Sequence, residues 1–169
     1  MIVKALEPPD AHYLSAALGW LELGNPAEAK AELARLSAVA LEHPDVLETR
    51  WLLCAEERRW EEGLQVARAL LQRAPERPAA WLHQAYALRR VPDGSVNQAW
   101  DALLPAFDKF PKDPIIPYNL SCYACQMHQL DAAREWFKRA LALSSKDDLK
   151  AMALADPDLE RLWEEIKGL

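Results

Sequence analysis

Glycine is scarce in this chain: five residues in 169, against twelve prolines. No Gly-rich phosphate loop, nucleophile elbow or His-Glu-x-x-His pattern occurs, so the common signatures of nucleotide, acyl and zinc-hydrolase chemistry are missing. Cysteine is sparse too, at three residues, an odd number that does not suit a disulfide framework. Charges interrupt every apolar run, and none approaches the about 18 residues of a membrane span. The opening MIVKALEPPD has neither the basic start nor the apolar stretch of a signal peptide. A soluble, cytoplasmic protein with no membrane partner is the expectation. An excess of positive charge is also lacking. The net charge is −6; acids divide 13 and 13 between residues 1–85 and 86–169, and bases 9 and 11. That balance leaves no electrostatic footprint for nucleic acid.

What the chain has is a period. Pro44, Pro78 and Pro114 are 34 and 36 residues apart. Ala29, Gly63, Ala99 and Ala133 follow at 34, 36 and 34, as do Leu33, Ala67, Leu103 and Phe137, and Leu36, Leu70, Ala106 and Ala140. Independent columns sharing one two-residue insertion mark a true internal repeat.

Each unit reads as two helices, because apolar residues recur at helical spacing and no alternating strand pattern appears. The first helices are expected near 10–23, 45–57, 78–90 and 114–127, the second near 26–42, 60–73, 95–110 and 130–144. Asn25-Pro26-Ala27-Glu28 supplies an N-cap, a first-turn proline and an acid. Ser95-Val96-Asn97-Gln98 has capping-box form. The insertion falls in the turn Val91-Pro92-Asp93-Gly94-Ser95, where extra residues disturb least.

A helix–turn–helix period of about 34 residues is that of the tetratricopeptide repeat. Trp81, Ala85, Ala99, Leu103, Ala106 and Pro111 resemble the family's spaced aromatic, small and proline signature. Tyr118-Asn119-Leu120-Ser121 with Ala133, Phe137 and Ala140 resembles it more closely, and the first unit carries Tyr13, Ala17, Trp20, Gly24, Ala29 and Leu33. The resemblance covers residues 10–148. It implies an all-α, right-handed superhelical array of about four helix pairs, near 10–43, 44–77, 78–113 and 114–148. Residues 1–9 form an N-terminal segment and 149–169 a C-terminal cap. Asp156-Pro157 can start a helix that puts Leu159, Leu162, Trp163 and Ile166 on one face. Removing that segment should expose an apolar edge and cause aggregation.

The second unit breaks the pattern. Trp51 stands where a small residue is usual, and Gly63 where alanine is common, so the two read as a compensating pair. Arg50 shares the face of Leu47, Trp51 and Cys54, which should be buried, so it reads as a structural ion pair, a partial register shift, or a group that binds an acidic ligand.

Cys122, Cys125 and His128, spaced three apart, are the only metal or redox candidates. They form a slowly drifting stripe on a helix and its exit turn, where the resemblance often places glycine at the position of His128. Structural zinc usually takes about four ligands, and this group offers three without a second pair nearby. A redox Cys-x-x-Cys would want a βαβ context, which is absent. Small apolar cysteines on a packed helix are the simpler reading. The acid pairs Glu56-Glu57 and Glu61-Glu62 read as solvated surface. Neither a catalytic residue nor a cofactor is expected.

In the resembled family the first helices line a concave groove that binds an extended peptide or a helix of another protein. Helical phase then selects Leu14, Leu18 and Leu21 in the first unit, and Glu48, Leu52 and Glu56 in the second. It selects Leu82, Tyr86, Arg89 and Arg90 in the third, and Tyr118, Cys122 and Gln126 in the fourth. Apolar anchors among a few charges suit an amphipathic helix. The competing assignment puts some of these residues in the core, or under Ile2, Val3 and Leu6. The lysine–asparagine clamp that grips chaperone carboxylates in that family is absent: its places hold Leu14, Leu18, Glu48, Leu52, Leu82 and Tyr86. Arg89 and Arg90 would favour an acidic motif. The expected function is a non-catalytic scaffold or adaptor that binds protein or peptide. The alternatives are metal or redox chemistry at the Cys–His stripe, and self-association into a homo-oligomer.

Overall fold

The computed structural model describes residues 5–169. Among these residues the regular structure is all helical: ten α-helices and two short 3-10 turns, with no strand. The helices are α1 (Asp10–Glu22), α2 (Pro26–Leu33), α3 (Pro44–Glu56), α4 (Trp60–Arg73), α5 (Pro78–Leu88), α6 (Val96–Lys109), α7 (Ile115–Gln126), α8 (Leu130–Leu141), α9 (Lys146–Leu154) and α10 (Trp163–Lys167). No helix is long and apolar enough to cross a membrane. The chain divides into two compact units, one ending at Ala87 and the other spanning Leu88–Leu169.

In the unit ending at Ala87, α1 packs on α2 and α3 on α4, and α3 also meets α1 and α2. One core joins Leu14, Ala17, Ala29, Leu33, Leu36, Ala40, Val46 and Leu53, and Leu6 packs against it. The N-terminal segment therefore does fold back at Leu6, whereas Ile2 and Val3 lie outside the described residues. A second core joins Leu47, Trp51, Val66, Ala67, Leu70, Ala74 and Ala80. In Leu88–Leu169, α7 packs between α6 and α8 and also against the 3-10 turn Pro157–Leu162.

Three interhelix turns have the same construction. Gly24, Arg58 and His128 adopt positive φ, at 70°, 55° and 61°. The next amide in each turn reaches back five residues, Asn25 to the Trp20 carbonyl, Arg59 to Cys54 and Gln129 to Ala124, at 2.8, 2.8 and 2.9 Å. This is the Schellman closure, in which a left-handed residue lets the chain satisfy the last helical carbonyls. Gly94 stands at the corresponding place of the remaining turn. Its φ is not left-handed, yet a Cβ there would lie 1.7 Å from the Leu88 carbonyl oxygen, so only glycine fits.

Two elements differ from the sequence expectation. The second helix was expected to run to residue 42, but α2 ends at Leu33. The Asp10 carboxylate accepts hydrogen bonds from the Ser37 amide (2.8 Å) and hydroxyl (2.6 Å), which offers the backbone a partner outside a helix. A 3-10 turn, Ala40–Glu42, follows. At the other end, α9 is an additional helix, started by the Ser145 side chain accepting from the Asp148 amide. The segment from Asp156 then forms a 3-10 turn and the short α10 in place of one helix. Leu159, Leu162 and Ile166 are buried as expected. Trp163 is half-buried, and its indole N–H donates to the Ala153 carbonyl at 2.9 Å.

Candidate interaction surface

Helix α7 carries three of the groove candidates, and the chain's own C-terminal segment lies on them. Tyr118 and Cys122 are 5 % and 2 % exposed. The Tyr118 hydroxyl donates to Asp156 Oδ2 at 2.9 Å, and the Cys122 thiol donates to the same oxygen at 3.5 Å. Gln126 is exposed, and its Nε2 donates to the Asp158 carbonyl at 3.0 Å. Arg89 grips Asp158 with both terminal nitrogens: Nη2 donates to Oδ1 at 2.8 Å and Nη1 to Oδ2. Its guanidinium also lies 5.5 Å from the centre of the Tyr123 ring. The other oxygen of Asp156 accepts from the Asp158 amide at 3.0 Å, capping the 3-10 turn.

Charge on this surface is complementary. Burial works against the Arg89 charge, but the Asp158 hydrogen bonds and charge more than offset it and hold the guanidinium above its usual pKa. Burial pushes the Cys122 thiol well up, and the nearby Asp156 and Asp158 charges push it further. Tyr118 is likewise raised, by burial first and then by Cys122 and Asp156. All three groups therefore stay in their donor forms near neutral pH, facing carboxylates that only accept.

In the other unit the candidates are scattered. Leu14 is buried in the core and offers no surface. Leu18 and Leu52 are 37 % and 39 % exposed, large apolar side chains open to solvent. Leu21 is half-buried against the first core, and Glu56 is exposed. Glu48 is half-buried and accepts from Arg77 at 3.1 Å, while Arg77 also pairs with Asp45 at 2.6 Å. Leu82 and Tyr86 are half-buried. Tyr86 sets its ring against Trp51 and Trp60, each at 5.8 Å between centroids. Trp51 stacks on His83 at 3.7 Å, with the rings 8° from parallel. Burial lowers the His83 pKa to about 4, and neither His83 Nε2 nor Trp51 Nε1 has a hydrogen-bond partner among the described residues. Arg90, in Leu88–Leu169, is half-buried.

The cysteine–histidine stripe does not assemble. Cys122 and Cys125 are buried, whereas His128 is exposed on its left-handed turn. Burial raises the Cys125 thiol, as it does Cys122. Among the described residues, no group of three or more His, Cys, Asp or Glu side chains is placed to hold a metal ion. Cys54, also buried, is pushed up to about 11, chiefly by burial. Thiolate, the reactive form, is disfavoured at all three cysteines.

Leu47, Trp51 and Cys54 are buried as expected, but Arg50 is only half-buried. It lines a cavity of about 260 Å³ with Lys30, Leu33, Leu53, Cys54 and Arg59. No ion pair or hydrogen bond of Arg50 is formed with a described residue, so the structural pair expected for it is not present there.

Comparison with known protein families finds no family model that matches the chain, and comparison with curated proteins finds no match.

Proposed function

We propose that this chain is a non-catalytic protein–protein interaction module, a right-handed array of four tetratricopeptide-like helix pairs whose first-helix faces bind a peptide or helix of another protein. The observation that carries this reading is that α7 and Arg89 already hold a peptide segment. Side chains of Arg89, Tyr118, Cys122 and Gln126 converge on residues 156 and 158. Support for the repeat comes from the 34- and 36-residue columns and from the three turns that share one hydrogen-bond pattern. Free thiols at Cys54, Cys122 and Cys125 suit the cytoplasm as the working compartment.

Exposed leucines on α1 and α3 make the surface of the other unit testable without damaging a core. A partner bound by the wild-type chain should be purified and titrated by calorimetry against wild type and a Leu18→Lys/Leu52→Lys variant. Loss of about tenfold or more in affinity, with the thermal transition unchanged, supports the reading, since apolar anchors dominate such contacts. Unchanged affinity removes these faces from the binding surface.

A further inference from the structure

The side-chain hydrogen bonds that tie residues 156 and 158 to the rest of their unit run in one direction. Every side-chain donor is on the receiving surface: the Arg89 guanidinium, the Tyr118 hydroxyl, the Cys122 thiol and the Gln126 amide. Every acceptor in these side-chain contacts is on the segment: both Asp158 carboxylate oxygens, one Asp156 oxygen and the Asp158 carbonyl. A surface of donors around one arginine fork is the chemistry of acidic-peptide recognition. Behind the acids, Leu159 and Leu162 are 0 % and 2 % exposed, so an apolar anchor follows the charged contacts.

We propose that this surface binds acidic segments of partner proteins with the pattern Asp-x-Asp-apolar, and that Asp156-Pro157-Asp158-Leu159 is a tethered copy of that ligand which a partner displaces. The inference rests on the interaction reading above and names the partner chemistry of one of its faces. Two features make the tethered copy exchangeable. Its backbone is a six-residue 3-10 turn followed by a five-residue helix, elements with little stability of their own. The ion pair at its head is not sealed: Arg89 and Asp158 side chains are 14 % and 24 % exposed, which gives a competitor a place to begin. Tethering raises the local concentration of the intramolecular ligand to the order of millimolar, so the intact chain should bind a free acidic peptide only weakly.

The test uses the full chain and a fluorescein-labelled peptide of sequence ADPDLERLW. In the Asp156→Asn/Asp158→Asn variant the N-cap survives, because asparagine caps as well as aspartate, and the leucine anchors remain. Maleimide labelling, mapped by mass spectrometry, reports release: Cys122 lies beneath Asp156, and buried Cys54 in the other unit serves as the folding control. The expected result is faster labelling of Cys122 with Cys54 still protected. Peptide affinity, read by anisotropy, should rise about tenfold or more over wild type, and Arg89→Gln in the same background should abolish the gain. An equal affinity for the Asn-substituted peptide would overturn the proposal, as would no binding once Cys122 is released. Protection of Cys122 undiminished in the variant would overturn it too, since the segment would then not exchange. Partner binding through Leu18 and Leu52 is measured separately and is untouched by these outcomes, so failure here is distinct from failure of the wider reading.

Discussion

Arg89 and Asp158, 69 residues apart in sequence, meet through a two-pronged, partly buried ion pair. The pair fastens the last segment of the chain to the surface around α7. Hydrogen bonds to charged groups contribute about 1.5–3 kcal/mol each, and an arginine left without its acid keeps the desolvation penalty. Asp158→Ala should therefore lower stability by about 2 kcal/mol, measured by urea unfolding. Arg89→Ala should cost a similar amount, and the double variant much less than the sum. Simple additivity within about 0.5 kcal/mol would show that the two residues do not act together.

His83 makes stability depend on pH. Its folded pKa is about 4 against an ordinary 6.5, because burial disfavours the imidazolium. The unfolded chain therefore takes up the proton first as pH falls. The contribution is complete above about pH 6.5 and is lost progressively toward pH 4, to a limit of about 3 kcal/mol. His83→Phe should keep an aromatic ring against Trp51 and flatten this part of the profile. The check is the unfolding free energy of both proteins between pH 7 and 4.5; parallel curves would count against His83 as the titrating group.

The helical class and the pairing of α1 with α2, α3 with α4 and α7 with α8 were legible in the sequence because spacing records packing: Ala29, Ala99 and Ala133 are fully buried. Gly63 beside Trp51 was legible for the same reason. The end of α2 was not, since its cause is a carboxylate 27 residues away, Asp10 on Ser37, and periodicity carries no information about such a contact. The candidate surface was legible by half. Helical phase found Tyr118, Cys122 and Gln126 but could not show that Asp156 and Asp158 lie on them. The available signal was charge: an Asp-Pro-Asp turn near the end of a chain whose expected surface held Arg89 and Arg90. Leu14 fell in the core because a groove face and a core face of one helix differ by a single residue step, about 100°.

The left-handed turns give a prediction about stability. Arg58 and His128 hold a conformation that burdens an L-residue by about 1–2 kcal/mol and glycine hardly at all. Arg58→Gly and His128→Gly should each stabilise by about 1 kcal/mol, and Gly24→Ala should destabilise by a similar amount. Gly94→Ala should be the most damaging of the four, because its Cβ would meet the Leu88 carbonyl at 1.7 Å. Thermal unfolding of the four variants checks the order.

Gly63 poses a sharper question, because its sequence context suggested that the indole of Trp51 demands empty space. A Cβ added there would lie 3.5 Å from Cys54 Cβ and 3.8 Å from Trp51 Nε1, ordinary van der Waals distances. A methyl group therefore fits, and α4 would gain the helix propensity that glycine lacks, about 1 kcal/mol. Gly63→Ala should raise the unfolding free energy. Gly63→Leu should lower it by about 1–3 kcal/mol, since the longer branch must push Trp51 off His83. Near-ultraviolet circular dichroism reads the Trp51 environment directly. A leucine variant with wild-type stability and an unchanged aromatic spectrum would mean that the space opposite Trp51 is larger than these distances imply.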